Sequence, residues 1–453
     1  MKSRINILVL LKIYKGDLNP FDECALEFAL RIPNAKVTAL AMAPLSAKPA
    51  LENITRLGAD AVLVCDNTFA GSDTIATAKI LAKVVEYYNP DLVFAGRKSI
   101  DGSTAQTPIM LADLIRYEFI GRVIDINEGN VITRGGNKYS LKTKQLLTFE
   151  KSKLLRSPSI FSTQKEITIL TNKELNVDKE LIGQRGSKTI VRKTYINESG
   201  RRFCDFFKKE ELDNLIKTGL EKTIEEVTEE KSVEEIYYVG DIRNVSLAFA
   251  KRVVELEINN KTIEEICLKI KEKHPKIILW EEKEEIKELA CQVAIRMGIG
   301  LCAECTNVRM ENGKVIITRP ALGGDIMADI ECTTPISMAT INKTKEEEDI
   351  AFVVGKGAVQ YLPKIREMAK KYDAKIYCTR PLADNGIIDY LYQVGLSGIS
   401  ITPKVCVLIG LSGSVQTIVG INKSKAVIAI NKLRKEKVFD YADYGIVIDI
   451  KDL

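Results

Sequence analysis

Apolar and polar positions alternate along the first 195 residues in two interleaved rhythms. Short, nearly unbroken apolar runs (INILVLLKIY, VTALAMAP, DAVLVCD, DLVFAGRKSI) are the signature of strands buried on both faces. Between them ECALEFALRI, ATAKILAKVVEYY and TAQTPIMLADLI place apolar residues at helical spacing. This βαβ order predicts a mainly parallel, doubly wound sheet. From about residue 120 the runs shorten, which predicts strands forming an arm outside that sheet. Residues 200–235 change character: Phe207, Leu212, Leu215, Ile216, Leu220, Ile224 and Val227 recur at helical spacing among charges, predicting an amphipathic helical linker. A shorter α/β segment, 236–345, follows, with KIILW as a strand and VRMENGKVIIT as a hairpin. The last segment, 346–453, is βα again: AFVVGKG, a helix from Leu362 to Lys371, KIYCTRP, VCVLIG, AVIAIN and YGIVIDI.

Composition narrows the class without naming it. At 453 residues, 45% hydrophobic and 28% charged, the chain has the make-up of a globular protein of several domains. A net charge of +5, with acidic and basic residues interleaved, gives no nucleic-acid surface. No apolar run approaches the ~20 residues of a membrane-spanning helix. The start, MKSRINILVLLKIY, is basic then apolar like a secretion signal, but Lys12 interrupts it and no small-residue cleavage site follows. It reads as a first buried strand, and the expected location is cytoplasmic. Ten cysteines without paired spacing suit reduced thiols. The one CxxC, Cys302 and Cys305, reads as two small packed residues, and a single histidine, His274, makes triad catalysis and His-ligated metals poor readings.

Candidate chemistry collects at the ends of strands. GLSGSVQT follows VCVLIG, so Gly410 and Gly413 allow close backbone approach, Ser412 and Ser414 supply hydroxyls, and a helix beginning near Ser412 would present free N–H groups to a pyrophosphate. QVGLSG (Gln393–Gly398), Arg380 after KIYCT, Asn431 with Lys432, and Asp449 would meet it at one sheet edge. In the N-terminal segment SIDGSTAQT is built alike: Gly102 for turning, Ser103 and Thr104 for hydroxyls, then a helix start. Neither half carries GxGxxG after its first strand, which disfavours a nicotinamide dehydrogenase.

The run TRPLADNG…QVGLSG…GLSGSVQT…INK…ADYGIVID strongly resembles the FAD domain of the electron-transfer flavoprotein alpha subunit, and GLCAECTN with TRPALGGDIMADI resembles that subunit's first domain. LNPFDECALEFALRI, GADAVLVCD, the DGSTAQ loop and LRSPSI resemble the beta subunit, so the chain looks like a fusion, beta first. The resemblance implies two Rossmann-like segments of the adenine-nucleotide alpha hydrolase type plus a C-terminal parallel-sheet FAD domain. Residues 1–199 would be the beta-like domain with its arm, 200–235 the linker, 236–345 a shortened alpha-like first domain and 346–453 the FAD domain.

It also implies roles. Arg380, after Thr379, would lie over the flavin and favour its anionic reduced forms, while the Ser397 hydroxyl would bond N5. Gln393, Val394, Gly395 and Gly398 would line the ring; Ser412, Gly413, Ser414 and Gln416 would hold the ribityl and pyrophosphate; Asn431 and Asp449 would face the adenosine. Lys356 stands where the family has Arg, Leu396 where it has Gln, and Thr417 where a His meets the flavin's carbonyl end, which is expected to shift the flavin's potential. In the beta-like half Asp101, Gly102, Ser103, Thr104, Gln106 and Thr107, with Asp66, would hold AMP or a second FAD. The DGSTAQ form is nearer the electron-bifurcating pattern DGDTAQ, with Ser103 in place of its second Asp. The expected function is an FAD electron carrier taking electrons from an acyl-CoA dehydrogenase-like flavoprotein and passing them to a second redox partner; the alternative is a nucleotide-binding sensor that keeps the fold without redox work. Glu281–Glu288 reads as a solvated helix face.

Overall fold

Strands whose sequence is apolar throughout are buried throughout. The computed structural model describes residues 4–196, 201–222, 231–322, 326–342, 348–395, 398–422 and 424–453. Its largest sheet runs Thr168–Leu170, Asp60–Val64, Ala35–Met42, Ile5–Leu11, Leu92–Gly96, Gln145–Phe149, Glu118–Asn127, Asn130–Thr133 and Lys138–Ser140 in spatial order. The first seven are parallel and the last two antiparallel. The strands from residue 118 to 149 therefore extend this sheet instead of forming an arm outside it. Gln145–Phe149 is buried along its whole length and wedges between two earlier strands, a pairing that run length alone does not reveal. The arm begins later: Thr189–Ile196 leaves the N-terminal half and pairs antiparallel with Ile326–Cys332, completing a four-stranded sheet with the Asn307–Glu311/Lys314–Ala321 hairpin.

The 233–341 segment forms a five-stranded parallel sheet, Ala250–Glu255, Val233–Val239, Ile277–Glu281, Ser337–Ile341 and Leu301–Cys305. Its helix Glu284–Met297 packs on Thr107–Ile115 of the N-terminal half, so one apolar core runs from Met110 and Leu111 through Val293 and Ala290 to Trp280. The Glu281–Glu288 run is not a wholly solvated face. Glu284 and Glu285 are exposed, but Lys287 is buried against Glu282, which also takes the Thr340 hydroxyl. Cys302 and Cys305 are both buried in a strand, and burial pushes the Cys302 thiol up to about 11.

The C-terminal sheet is parallel, ordered Asp205–Phe207, Tyr444–Val447, Ala426–Asn431, Val405–Ile409, Ile350–Val354, Lys375–Cys378. Residues 205–221 thus differ from the expected linker. Asp205–Phe207 is that sheet's edge strand, and helix Leu212–Glu221 lays Leu212, Leu215 and Ile216 on one of its apolar faces. Arg202 and Lys222 both pair with Asp443, at 2.6 and 2.7 Å. Through Glu221, then, the amphipathic stripe is a packing face. Ile224 and Val227 lie outside the described residues.

Candidate functional site

Five parallel strands of the C-terminal sheet deliver their carboxyl ends to one cavity of 740 Å³. Gly355 and Lys356 follow the first strand, Thr379 and Arg380 the second, Gly410–Ser414 the third, Asn431 and Lys432 the fourth, and Asp449 the fifth. Gln393, Val394, Gly395, Gln416 and Thr417 complete this side. The remaining wall comes from the N-terminal half: Phe21, Lys98, Ser99, Ile100 and Ser103. The volume is that of a small-molecule site, and its position outside strand carboxyl ends is where open α/β sheets take ligands. Gly398 is not among the lining residues, though a Cβ on it would meet the Gln393 carbonyl oxygen at 2.0 Å. Ser397 and Leu396 lie outside the described residues.

Backbone geometry closes the cradle. The helix after GLSGS starts at Val415, not near Ser412, and is a single turn, Val415–Ile418. The Gly410–Ser414 segment ahead of it is therefore extended loop, folded by two tight approaches. Gly413 has φ +83°, and a Cβ there would lie 2.2 Å from the Val438 nitrogen. Gly395 has φ +126°, and its Cβ would lie 2.4 Å from the Gln416 carbonyl oxygen. The Asn431 amide braces the loop by donating to the Leu411 carbonyl at 2.7 Å, so it supports the wall as well as lining it. The Ser414 and Thr417 hydroxyls share a 3.1 Å hydrogen bond. Asp449, which lines the cavity, accepts from the Lys451 amide at 3.1 Å.

The two halves meet across this cavity through charge. Glu150, 3% exposed, stands at the end of the Gln145–Phe149 strand. Arg122, Arg97 and Arg134 approach its Oε1 at 3.2, 3.4 and 3.6 Å, and Arg380 from the C-terminal sheet approaches Oε2 at 3.3 Å. Burial by itself would raise the Glu150 carboxyl; the four guanidiniums hold it down at about 2. Arg380 also bonds Asp384 at 3.1 Å and lies 5.3 Å from the centre of the Phe21 ring. Arg134 reaches Asp384 at 2.7 Å and donates to Gln393 at 2.9 Å. Sequence reasoning missed Glu150, Arg97, Arg122, Arg134, Lys98 and Phe21. Phe21 sits in the quoted NPFDE, whereas the Glu150 cluster had no local signal: its members come from strands and loops far apart in sequence.

The 99–107 loop is a second strained element. Ser103 and Ala105 both have φ +54°, a region non-glycine residues seldom occupy. The Ser103 hydroxyl is spent on the Ser99 and Ile100 carbonyls, both at 3.1 Å. Asp101 pairs with Lys12 at 3.0 Å, and the Gly102 carbonyl accepts from Arg319 at 2.7 Å. Gln106 is fully buried; its Oε1 takes the Thr74 hydroxyl at 3.3 Å, and its Nε2 has no partner among the described residues. Thr104 is half-buried, and Thr107 opens the following helix. Asp66 is committed elsewhere: it caps Thr68 and accepts from the Asn172 amide, at 2.8 and 2.9 Å.

Comparison with known proteins bears on both halves. The family model described as "Electron transfer flavoprotein domain" matches residues 7–140 and 260–374, more than half of the chain, and "Electron transfer flavoprotein FAD-binding domain" matches 346–422. The chain is 39% identical over 191 residues to the electron transfer flavoprotein subunit beta of Thermoanaerobacterium thermosaccharolyticum, covering 38% of this chain and 74% of that protein. It is 30% identical over 237 residues to the alpha subunit from the same organism, covering 42% of this chain and 71% of the relative. Over 290 residues it is 29% identical to the lactate dehydrogenase (NAD(+),ferredoxin) subunit LctC of Acetobacterium woodii, covering 54% of this chain and 64% of that one.

Proposed function

The chain belongs to the electron transfer flavoprotein family, with a beta-like domain and an alpha-type FAD-binding domain in one polypeptide, and on that premise we propose that the 740 Å³ cavity holds the FAD of an electron carrier. The observation that carries this is the convergence of five strand ends, with one fixed guanidinium, on one cavity. Bound FAD supplies the one- and two-electron redox chemistry. The chain binds and orients it: the Gly410–Gln416 loop offers backbone N–H groups and two serine hydroxyls to a pyrophosphate, Lys356 adds charge, and Asn431 and Asp449 serve the adenosine end. The Arg380 guanidinium would stabilise negative charge on the ring. Thr417, tied to Ser414, replaces a charged or strongly donating group with a hydroxyl already in use.

The 99–107 loop is proposed as the seat of a second nucleotide, AMP or a second FAD. The strained Ser103 and Ala105 and the unpartnered Gln106 amide support this, since buried donors are ordinarily satisfied. A second FAD would suit electron bifurcation. The donor is proposed to be an acyl-CoA dehydrogenase-type flavoprotein. Support comes from Leu154, Ile160 and Phe161, apolar side chains 80%, 86% and 88% exposed on the irregular run after Glu150, of the kind that anchor a protein partner. Among the described residues no helix is long and apolar enough to cross a membrane.

Two measurements test this. The purified protein should carry the visible absorption bands of flavin, and flavin and adenylate counted per chain should give one FAD plus AMP, or two FADs. A colourless chain that takes up no FAD defeats the reading. Phe161→Ala should slow reduction by a dehydrogenase and its acyl-CoA roughly tenfold, a typical loss for one apolar anchor, with reduction by dithionite unchanged. Equal dehydrogenase rates would remove this surface as the docking site.

A further inference from the structure

A further cation stands in the flavin cavity's wall, on the side the N-terminal half supplies. Lys98 follows the Leu92–Gly96 strand of the N-terminal half; its side chain, 9% exposed, lines the cavity beside Phe21 and Ser99. Its carbonyl is held by the Asn19 amide at 3.0 Å, which fixes where the side chain starts. Its anionic neighbour is Glu304 on the Leu301–Cys305 strand, 4.0 Å away, too far for a direct hydrogen bond. Glu304 is 5% exposed, sits at φ +52°, and its Oε2 has no hydrogen-bond partner among the described residues. The strained backbone thus points a carboxylate at the lysine without locking the pair.

Three cations also act on Lys98. Arg97, Lys287 and Arg380 all disfavour its ammonium, with Lys287 itself engaged by Glu282 and Arg97 and Arg380 by Glu150. Burial is the largest influence and lowers Lys98 to about 8; Glu304 opposes it, and the three cations add to it. A lysine serving only as a bridge between the halves would sit in hydrogen-bond contact with its carboxylate. This one does not, and it lines the cavity.

We propose that Lys98 couples the flavin site to a proton: where its amine is neutral beside oxidised flavin, it binds a proton from water when the flavin gains an electron and releases it on reoxidation. The inference rests on the reading that the cavity holds FAD. The electron comes from the donor dehydrogenase and leaves to the second redox partner. The proton comes from solvent to the neutral amine, giving the ammonium, and returns to solvent afterwards. No covalent bond to the flavin forms. Negative charge arriving within the cavity favours the charged lysine and raises its affinity for the proton. Below pH about 8 the lysine is already charged with oxidised flavin, so it adds nothing to the pH dependence. Above that pH, reduction and protonation are coupled, and the potential falls as pH rises.

The test is a potentiometric titration of the FAD-loaded protein from about pH 6 to 10, for wild type, Lys98→Gln and Lys98→Arg. FAD affinity of the stripped proteins, read by flavin fluorescence, reports whether each variant keeps its site. Wild type should show an added fall in potential beginning near pH 8. Lys98→Gln should lack that fall and, below pH 8, hold the reduced flavin about tenfold less favourably, as expected for losing one nearby opposite charge. Lys98→Arg, charged throughout, should keep the higher potential and also lack the fall. If Lys98→Gln tracks wild type at every pH, or Lys98→Arg retains the fall, the proton-coupling role is overturned and the FAD reading stands. A chain that cannot be loaded with FAD would overturn both.

Discussion

Glu150→Ala is expected to unseat the C-terminal sheet from the N-terminal half. The carboxylate is buried, and four guanidiniums lie 3.2–3.6 Å from its oxygens. Removing one partner of a buried charge cluster costs about 3–5 kcal/mol, because the remaining charges stay desolvated and repel one another. Here three of those charges belong to the N-terminal half and one, Arg380, to the C-terminal sheet, so the cost falls on the contact between them. The Asp384 and Gln393 contacts of Arg134 are the same contact's other polar links. The variant should keep both folded parts, show a larger radius of gyration in solution scattering, and be cut faster by protease between them. An unchanged scattering profile would show that the apolar contacts alone hold the arrangement. The pH dependence has a defined sign. The Glu150 carboxyl lies at about 2 against an ordinary value of 4.5, so its contribution is fully present above pH 4.5 and is lost as pH falls through about 2. Wild type should therefore expand in that acid window, and Glu150→Gln should already be expanded at neutral pH.

This cluster also marks where sequence reading stopped. Parallel strands were legible because burial on both faces leaves unbroken apolar runs, as VCVLI and AVIAI show, and such runs need no partner to be recognised. Much of the cavity's C-terminal wall was legible for the same reason: its groups sit in the loops immediately after those strands. Pairing between distant segments left no such trace. Nothing local in residues 97, 122, 134 and 380 states that they share one carboxylate, and the strand bearing Arg122 and the turn bearing Arg134 fall in the stretch expected to lie outside the sheet. The 205–221 segment misled for a related reason. Helical apolar spacing says that a face is buried but not against what, and that face covers the Val405–Ile409 and Ala426–Asn431 strands. Asp66 looked like a ligand because it ends a strand; its carboxylate instead caps the next turn and anchors Asn172.

Gly395→Ala should weaken FAD binding at least about 30-fold while leaving the rest of the chain folded. Gly395 has φ +126°, a conformation essentially restricted to glycine, and holding another residue there costs on the order of 1–3 kcal/mol. The steric term is larger in consequence. The new Cβ would lie 2.4 Å from the Gln416 carbonyl oxygen and 3.2 Å from the Thr417 Cα, both backbone, so no side-chain rotation relieves it. The Gln393–Gly395 strip and the Ser414–Thr417 turn must then part, and these are two facing walls of the cavity. Gly420 packs against the same strip: a Cβ on it would lie 2.5 Å from the Gly395 nitrogen. Strain of that size, set against binding that needs both walls in place, predicts an affinity loss of at least about 30-fold, since each 1.4 kcal/mol is tenfold. Flavin content after purification and a fluorescence titration of the stripped protein would read it, and circular dichroism would show the retained fold. Gly386→Ala, also at positive φ but with nothing within 4 Å of its Cβ, is the control for backbone strain alone. Equal flavin loss in both variants would mean that strain, not the closure of Gly395 against Gln416, governs the site.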